Sequence, residues 1–260
     1  MVKPRLIFTL LIESGSFMLS RNFSLQRVGD LGWLKECYDF DSIALSIDEL
    51  IVLDVTRSCK DIDTLTRCVS ELAKECFMPI AAGGGVNSME IAYRILGAGA
   101  DKLVVNTALE RNPDFVRELV RVFGGQSIVA SIDYREVNGV NQVFIDNGAQ
   151  ATGKSLVGFA AYAASLGVGE IYVTSMQRDG TGQGYDIGTL KSLSRSVSVP
   201  VIASGGVGKP QHLLDGLREA GVQAVSTANL FNFIANGLAH ARQALIQNGV
   251  PLPTWTRFAL

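Results

Sequence analysis

The sequence has few of the residues on which many kinds of site depend. Histidine occurs only twice among 260 residues, at His212 and His240, and both fall within helical patterns rather than at strand ends. The four cysteines show no C-x-x-C spacing. We therefore expect no metal site and no bound cofactor, and we expect the cysteines to be reduced thiols rather than disulfides or zinc ligands.

Charge of one sign and long apolar runs are also scarce. The formal net charge is −2, which argues against a basic surface for nucleic acid or for a membrane. No apolar run approaches the roughly 18 residues of a membrane span. The first run, Leu6–Ile12, is interrupted by Glu13 and lacks a following cleavage site, so we interpret it as a buried strand and not as a secretory signal. A cytoplasmic protein is expected.

Short apolar segments are abundant, and they alternate with helical patterns. Their hydrophobicity is continuous rather than alternating, which is typical of a parallel sheet covered by helices. The eight predicted strands are Leu6–Ile12, Leu50–Val55, Met78–Ala82, Lys102–Val105, Ser127–Ile132, Glu170–Thr174, Val199–Ala203 and Ala224–Thr227. The predicted helices include Ile62–Glu75, Ser88–Leu96, Pro113–Phe123, Leu156–Leu166, Ile187–Ser194, Gln211–Glu219 and Phe231–Gln247.

An internal repeat distinguishes a closed barrel from an open sheet. Gly84 and Gly205, each in a glycine pair that ends an apolar run, are 121 residues apart (205 − 84), and Glu49 and Glu170 have the same offset (170 − 49). Such a long period predicts two half-barrels of four βα units each. We therefore predict one (β/α)8 TIM-barrel domain over residues 1–260, in which chemistry takes place at the carboxyl ends of the strands.

Glycines and short polar residues at strand ends predict two phosphate sites. Backbone N–H groups at a helix start, with no Cβ in the way, can approach a phosphate closely. The first site comprises Gly85, Asn106 and Thr107, and the second comprises Gly180, Gly206, Ala228 and Asn229. The alternative is that the glycine pairs only allow strands and helices to pack closely.

Carboxylates at the same strand ends are candidates for acid or base chemistry. Asp54, Asp133 and Asp179 follow apolar strands, and burial at a barrel mouth can raise a carboxyl pKa towards neutrality. The alternative is that they cap loops or pair with arginines. From position alone, all three carboxylates remain candidates.

Four charged residues begin predicted strands and should surround the opposite, N-terminal opening of the barrel. They are Arg5, Glu49, Lys102 and Glu170. Two of each sign can neutralise one another, and buried charges are tolerated only when paired. A stabilising ring at the bottom of the barrel is the ordinary interpretation for this location.

Several segments together resemble one family over essentially the whole chain. They are Asp48–Asp54, Gly83–Gly85, Ala100–Ala108, Ser131–Asp133, Arg178–Thr181, Gly184–Asp186 and Ile202–Gly206. In order and spacing they resemble HisF, the cyclase subunit of imidazole glycerol phosphate synthase in histidine biosynthesis. The resemblance implies a HisH-like glutaminase docked on the N-terminal face, whose ammonia enters through a gate formed by the four charged residues. It also implies a small phosphorylated substrate at the glycine sites, with Asp179 and Thr174 as further binding residues and Asp133 as the catalytic residue.

The resemblance breaks at one catalytic position. The family has acid/base aspartates at the ends of the first and fifth strands; Asp133 matches the fifth, but Leu11 stands at the first. The following loop, Ser14–Leu19, lacks the lysine that the family uses on its substrate, although Arg21 could partly replace that charge. Loss of one acid/base group typically reduces the rate by about 10²–10⁴. Efficient imidazole ring closure is therefore not expected.

The chain resembles relatives with leucine at this position that are associated with surface-glycan gene clusters, and this resemblance implies that ammonia serves for amidation of a sugar to an acetamidino group. The leading hypothesis is thus an ammonia-dependent synthase subunit of an amidotransferase complex that acts on a phosphorylated or nucleotide-linked acceptor, in lipopolysaccharide or other glycan biosynthesis. Three alternatives remain: the histidine-pathway cyclase, a catalytically silent barrel that activates a glutaminase, and an isomerase of phosphorylated sugars.

Overall fold

A computed structural model describes residues 3–37, 43, 45–75, 77–228 and 237–253. The strands within these ranges are β1 (Arg5–Glu13), β2 (Ser16–Arg21), β3 (Ser24–Gly29), β4 (Glu49–Asp54), β5 (Ile80–Gly83), β6 (Lys102–Val105), β7 (Ile128–Val137), β8 (Val140–Ile145), β9 (Gln150–Ser155), β10 (Glu170–Ser175), β11 (Val201–Ser204) and β12 (Ala224–Thr227). The helices are α1 (Leu31–Cys37), α2 (Ile62–Glu75), α3 (Met89–Gly97), α4 (Thr107–Arg111), α5 (Pro113–Phe123), α6 (Leu156–Ser165), α7 (Ile187–Ser196), α8 (Pro210–Asp215) and α9 (Gly237–Gln247).

Eight of the strands form a closed ring of parallel neighbours. Their order around the ring is β1, β4, β5, β6, β7, β10, β11 and β12, and β12 pairs with β1 to close it. Helices lie between successive ring strands along the chain. The predicted (β/α)8 barrel is confirmed, and all eight predicted strands correspond to strands of the ring.

The helices form where apolar residues recur on one face. In α2, the buried residues Leu65, Cys68, Val69 and Leu72 follow the i, i+3, i+4, i+7 spacing of a helix that packs on a core. At the start of α5, Pro113 occupies the first turn, where its missing N–H costs no hydrogen bond. The predicted helix from residue 231 is described only from Gly237, and residues 231–236 lie outside the described part of the chain.

Alternation along each ring strand separates the outer core from the barrel interior. In β1, Leu6, Phe8, Leu10 and Ile12 belong to the core between the strands and the helices, and the intervening residues point inward. The inward apolar layer is formed by Ile7, Ile51, Ala81, Val104, Val129, Tyr172, Ile202 and Ala224. The interior is therefore packed with side chains, as is general for barrels of eight strands.

Two antiparallel additions extend the barrel at the carboxyl ends of its strands. In the first, β7 pairs with β8 around Asn138 and Gly139, whose φ angles of 52° and 77° suit a two-residue turn. The sequence analysis did not predict the β2–β3 hairpin, which fills the interval after β1.

Among the residues that the structure describes, no helix combines the length and the apolarity that crossing a membrane requires. Cys59 and Cys68 are free thiols, as expected for these two. The side chains of Cys37 and Cys76 lie outside the described part of the structure.

Candidate functional site: a cavity at the carboxyl ends of the strands

A cavity of about 640 Å³ lies at the carboxyl ends of the ring strands, a volume suited to a small ligand. Two hairpin tips cover it. The β2–β3 tip contributes Phe23, and the β8–β9 turn contributes Asp146 and Asn147. The two tips touch, because a Cβ added to Gly148 would lie 2.9 Å from Phe23 Cδ1. The cavity is therefore a partly enclosed chamber rather than an open groove.

Asp133, the predicted catalytic residue, lines this chamber near the end of β7. Its Oδ2 atom accepts a hydrogen bond from Asn106 Nδ2 at 3.0 Å. Burial raises the pKa of Asp133 to about 7, the Asn106 hydrogen bond opposes that rise, and the charge of Asp179 adds to it. The carboxyl group can therefore hold or release a proton near neutral pH, as a general acid or base requires.

Asp179 also lines the chamber, but its carboxylate is held by hydrogen bonds to the β2–β3 hairpin, whose tip covers the cavity. Its Oδ2 atom accepts hydrogen bonds from Ser20 Oγ at 2.5 Å and from the backbone N–H of Phe23 at 3.1 Å. Burial raises the pKa of Asp179, and these two hydrogen bonds oppose the rise. Asp179 thus holds the β2–β3 tip over the cavity. Leu11, near the carboxyl end of β1, is a further lining residue.

The first predicted phosphate set lies in the chamber. Gly85, Asn106 and Thr107 all line it. Thr107 Oγ1 accepts a hydrogen bond from the backbone N–H of Asp146 at 3.2 Å, so this set is joined to the turn that covers it. Gly85 has φ +80°, a conformation that side chains other than glycine rarely adopt.

The second predicted phosphate set is divided. Ala228 lines the chamber, as does Thr174, which was predicted separately as a substrate-binding residue, whereas Gly180 and Gly206 are not among its lining residues. A Cβ on Gly180 would lie 2.1 Å from the carbonyl oxygen of Ser20, and one on Gly206 would lie 2.2 Å from that of Gly184. Close backbone packing therefore suffices to explain both glycines, and their phosphate role stays a prediction. Asn229 lies outside the described residues.

Asp54, the third carboxylate singled out from the sequence, caps its own loop. Its Oδ1 atom accepts a hydrogen bond from the backbone N–H of Thr56 at 2.8 Å. This contact fits the capping alternative, although the side chain also lines the chamber.

The four charged residues meet at the N-terminal end of the barrel and form a closed ring of alternating sign. Arg5 contacts Glu49 at 2.6 Å and Glu170 at 2.5 Å. Lys102 Nζ lies 3.0 Å from a carboxylate oxygen of each glutamate. Burial raises the pKa of Glu49, and the charges of Lys102 and Arg5 oppose that rise. Each charge in this ring, hereafter the charged ring, thus has two partners of opposite sign.

Buried hydroxyl groups lie between the charged ring and the chamber. Tyr172 follows Glu170 on the inward side of β10 and precedes Thr174. Its hydroxyl lies 2.7 Å from Ser204 Oγ and 3.3 Å from Thr9 Oγ1. Thr9 in turn lies 2.6 Å from Ser226 Oγ. The end of the chamber nearest the charged ring is therefore lined by hydroxyl groups, which are polar but uncharged.

Sequence analysis missed three cations that line the chamber: Arg57, Lys60 and Arg111. Arg57 donates a hydrogen bond to the carbonyl oxygen of Phe23 at 2.5 Å, which ties the β2–β3 tip to the loop after β4. For Arg57 and Lys60, the signal available in the sequence was the polar stretch of residues 57–61, which follows an apolar strand closely.

The closed ring of strands and the chamber at their carboxyl ends define the chain as a (β/α)8-barrel protein with its candidate site at the usual end of that fold. Comparison with known proteins specifies the family. A family model described as histidine biosynthesis protein matches residues 41–234. The chain is 42% identical over 255 residues to the imidazole glycerol phosphate synthase subunit HisF of Hyphomonas neptunium, an alignment that covers 98% of this chain and 100% of that protein.

A second relative comes from Parasynechococcus marenigrum and carries the provisional name imidazole glycerol phosphate synthase subunit hisF2. It is 41% identical over 256 residues, which are 98% of this chain and 95% of that protein. The chain therefore belongs to the histidine biosynthesis protein family, among its HisF members, as the sequence resemblance predicted.

Proposed function

We propose that the chain is the synthase subunit of a glutamine-dependent amidotransferase complex. A HisH-like glutaminase docks on the N-terminal face and releases ammonia at the charged ring. The ammonia crosses the barrel and reacts in the chamber with a phosphorylated or nucleotide-linked acceptor. One observation carries this proposal: the charged ring lies at one end of the barrel interior, and Asp133 lies in a covered chamber at the other end.

The charged ring suits a small neutral reactant. Because its four charges compensate one another, the ring presents no net charge that would attract ions into the barrel. Beyond it, the hydroxyl groups of Tyr172 and Thr9 offer hydrogen-bond partners to ammonia without protonating it as a carboxylic acid would. Passage requires that an ion pair of the ring opens and that the inward apolar layer beyond it moves enough to admit one small molecule.

The acceptor follows from the acid/base groups of the chamber. Asp133 has a pKa near neutrality, Leu11 cannot transfer a proton, and Asp179 holds the β2–β3 tip. One proton-transferring carboxyl group fits amidation of an acetamido sugar better than a ring closure that needs an acid and a base. In such an amidation a nucleoside triphosphate first phosphorylates the amide oxygen, ammonia then adds to the one activated carbon, and inorganic phosphate leaves. We therefore favour amidation of a sugar to an acetamidino group in glycan biosynthesis.

The second candidate is the cyclase reaction of histidine biosynthesis. It is favoured by the names of the two relatives, because each is called an imidazole glycerol phosphate synthase subunit. Complementation of a cyclase-deficient histidine auxotroph distinguishes the candidates. Growth would establish the cyclase and show that Leu11 is tolerated, whereas failure to grow despite soluble expression would favour amidation.

Turnover with purified protein tests the leading proposal. The chain, with and without its glutaminase, is incubated with ATP and with amino-sugar acceptors in phosphorylated and nucleotide-linked forms, and ammonium chloride or glutamine supplies the nitrogen. We expect ammonia-dependent product, reduced by about 10²–10⁴ in Asp133→Asn. The exposed residue Asp63 provides the control, Asp63→Asn, which should keep full activity. Absence of turnover with every amino-sugar acceptor would refute the proposal.

A further inference from the structure

Lys60 has an unusual position for a surface-loop lysine. It follows β4, and its side chain is only 27% exposed. The methylene groups lie across Gly85, because a Cβ on that glycine would come within 2.8 Å of Lys60 Cδ. The side chain therefore reaches the glycine of the first predicted phosphate set, and the absence of a Cβ there makes the contact possible.

The ammonium group of Lys60 retains hydrogen-bonding capacity in this position. Among the described residues, Nζ donates one hydrogen bond, to the carbonyl oxygen of Asp54 at 2.7 Å. The nearest carboxylate oxygen, Asp54 Oδ1, is 3.9 Å away, beyond hydrogen-bond distance. A lysine ammonium has three N–H donors, so donors remain for an anion that enters the chamber.

The charges around Lys60 come from several elements. Arg57 and Arg111 line the same chamber. Burial lowers the pKa of Lys60, whereas the charges of Asp54, Asp146 and Glu13 oppose that fall. These carboxylates therefore help to keep the ammonium group charged.

We infer that Lys60 supplies the cation of the anion site formed by Gly85, Asn106 and Thr107, and that this site takes a phosphate group of the substrate. The inference rests on the phosphorylated acceptor of the proposed function and adds the residue that recognises it. The backbone N–H group of Gly85 and the hydroxyl group of Thr107 position the phosphate, since both N–H donors of the Asn106 side-chain amide are already engaged by Ser131 and Asp133. Lys60 provides charge-assisted hydrogen bonds, which are stronger than neutral ones.

Binding of inorganic phosphate to the purified chain tests the inference, by calorimetry at pH 7 in Lys60→Met and Lys60→Gln. We expect both variants to bind phosphate at least about tenfold more weakly, as loss of a hydrogen bond from a charged group implies. Lys60→Arg should recover part of the affinity. Lys74, which is exposed on α2 and pairs with Glu71, gives the matched control Lys74→Met, with unchanged affinity. Urea unfolding of each variant verifies the fold.

A crystal structure with phosphate locates the site. Density between Lys60 Nζ and Gly85 N supports the inference. Unchanged affinity in both Lys60 variants, or phosphate bound only near Gly206, would overturn it. Because phosphate binding involves neither ammonia nor a glutaminase, this result is independent of whether the proposed amidation occurs.

Discussion

Asn106 Nδ2 donates hydrogen bonds to Asp133 Oδ2 and to the carbonyl oxygen of Ser131, each at 3.0 Å. The two contacts fix the amide against β7 and direct it at the carboxyl group in the chamber. Since burial raises the pKa of Asp133 to about 7 and this hydrogen bond opposes the rise, Asn106 adjusts the proton affinity of the candidate catalytic group.

Asn106→Leu should therefore raise the pKa of Asp133 above about 7. The leucine removes a donor that favours the ionised carboxylate, and its side chain leaves the burial in place. Carbon-13 NMR titration of the aspartate carboxyl groups measures the shift. Asn141→Leu, which removes a hydrogen bond to Thr189 instead, is the control. An unchanged or lower pKa in Asn106→Leu would contradict the assigned role of Asn106.

The raised pKa of Asp133 predicts how its replacement affects stability. In the unfolded chain an aspartate titrates near 3.9, but in the fold it keeps its proton up to about pH 7. Ionisation is therefore costly in the folded state, and the wild type loses stability as the pH rises from about 4 to 7. Asp133→Asn should match the wild type below that range and exceed it above pH 7 by on the order of 4 kcal/mol. Urea unfolding across the range measures this; a pH-independent difference would contradict it.

Breaking the charged ring should destabilise the barrel. Lys102→Met leaves two glutamates facing Arg5 alone, and an uncompensated buried charge costs about 3 kcal/mol. The double variant with Glu49→Gln restores neutrality and should lose less stability than the two single changes added together. Urea unfolding gives the values, and Lys74→Met on the surface should stay within about 0.5 kcal/mol of the wild type. An additive double variant would show that the ring does not act as a unit.

Asp179 should limit how often the β2–β3 tip opens away from the chamber. In Asp179→Ala, Ser20 and the Phe23 N–H lose their shared acceptor, so the β2–β3 tip should open more often. We expect the Phe23 amide to exchange hydrogen about tenfold faster, since a hydrogen bond to a charged group is lost. Hydrogen exchange followed by mass spectrometry reports this segment. Asp63→Ala, on an exposed helix surface, serves for comparison. Equal exchange in both variants would show that Asp179 does not hold the β2–β3 tip over the chamber.

The sequence was informative wherever hydrophobic continuity determined the structure. The run that predicted a strand at Leu50–Val55 corresponds to β4 at Glu49–Asp54, because burial on both sides of a parallel strand requires an unbroken apolar segment. The same logic placed Glu49 and Glu170 at strand starts, and therefore at one end of the barrel.

The β2–β3 tip over the chamber and the position of Lys60 could not be predicted from hydrophobic continuity. The β2–β3 turn has Asn22 and Phe23 at φ 52° and 64°, without the glycine that usually marks such a turn. The contact of Lys60 with Gly85 joins the loops after β4 and β5, which meet only once those two strands pair. Gly180 and Gly206 show the converse, because a glycine required by backbone packing has the same sequence signature as one that binds phosphate.

The central claim is that ammonia reaches the chamber through the barrel rather than from solvent. An isotope competition tests it most directly: the complex of the chain with its glutaminase turns over amide-¹⁵N glutamine in the presence of excess unlabelled ammonium chloride, and mass spectrometry measures ¹⁵N in the product. The account predicts that the product retains the label in the wild type. Dilution of the label to the ratio of the bulk ammonium pool would contradict it.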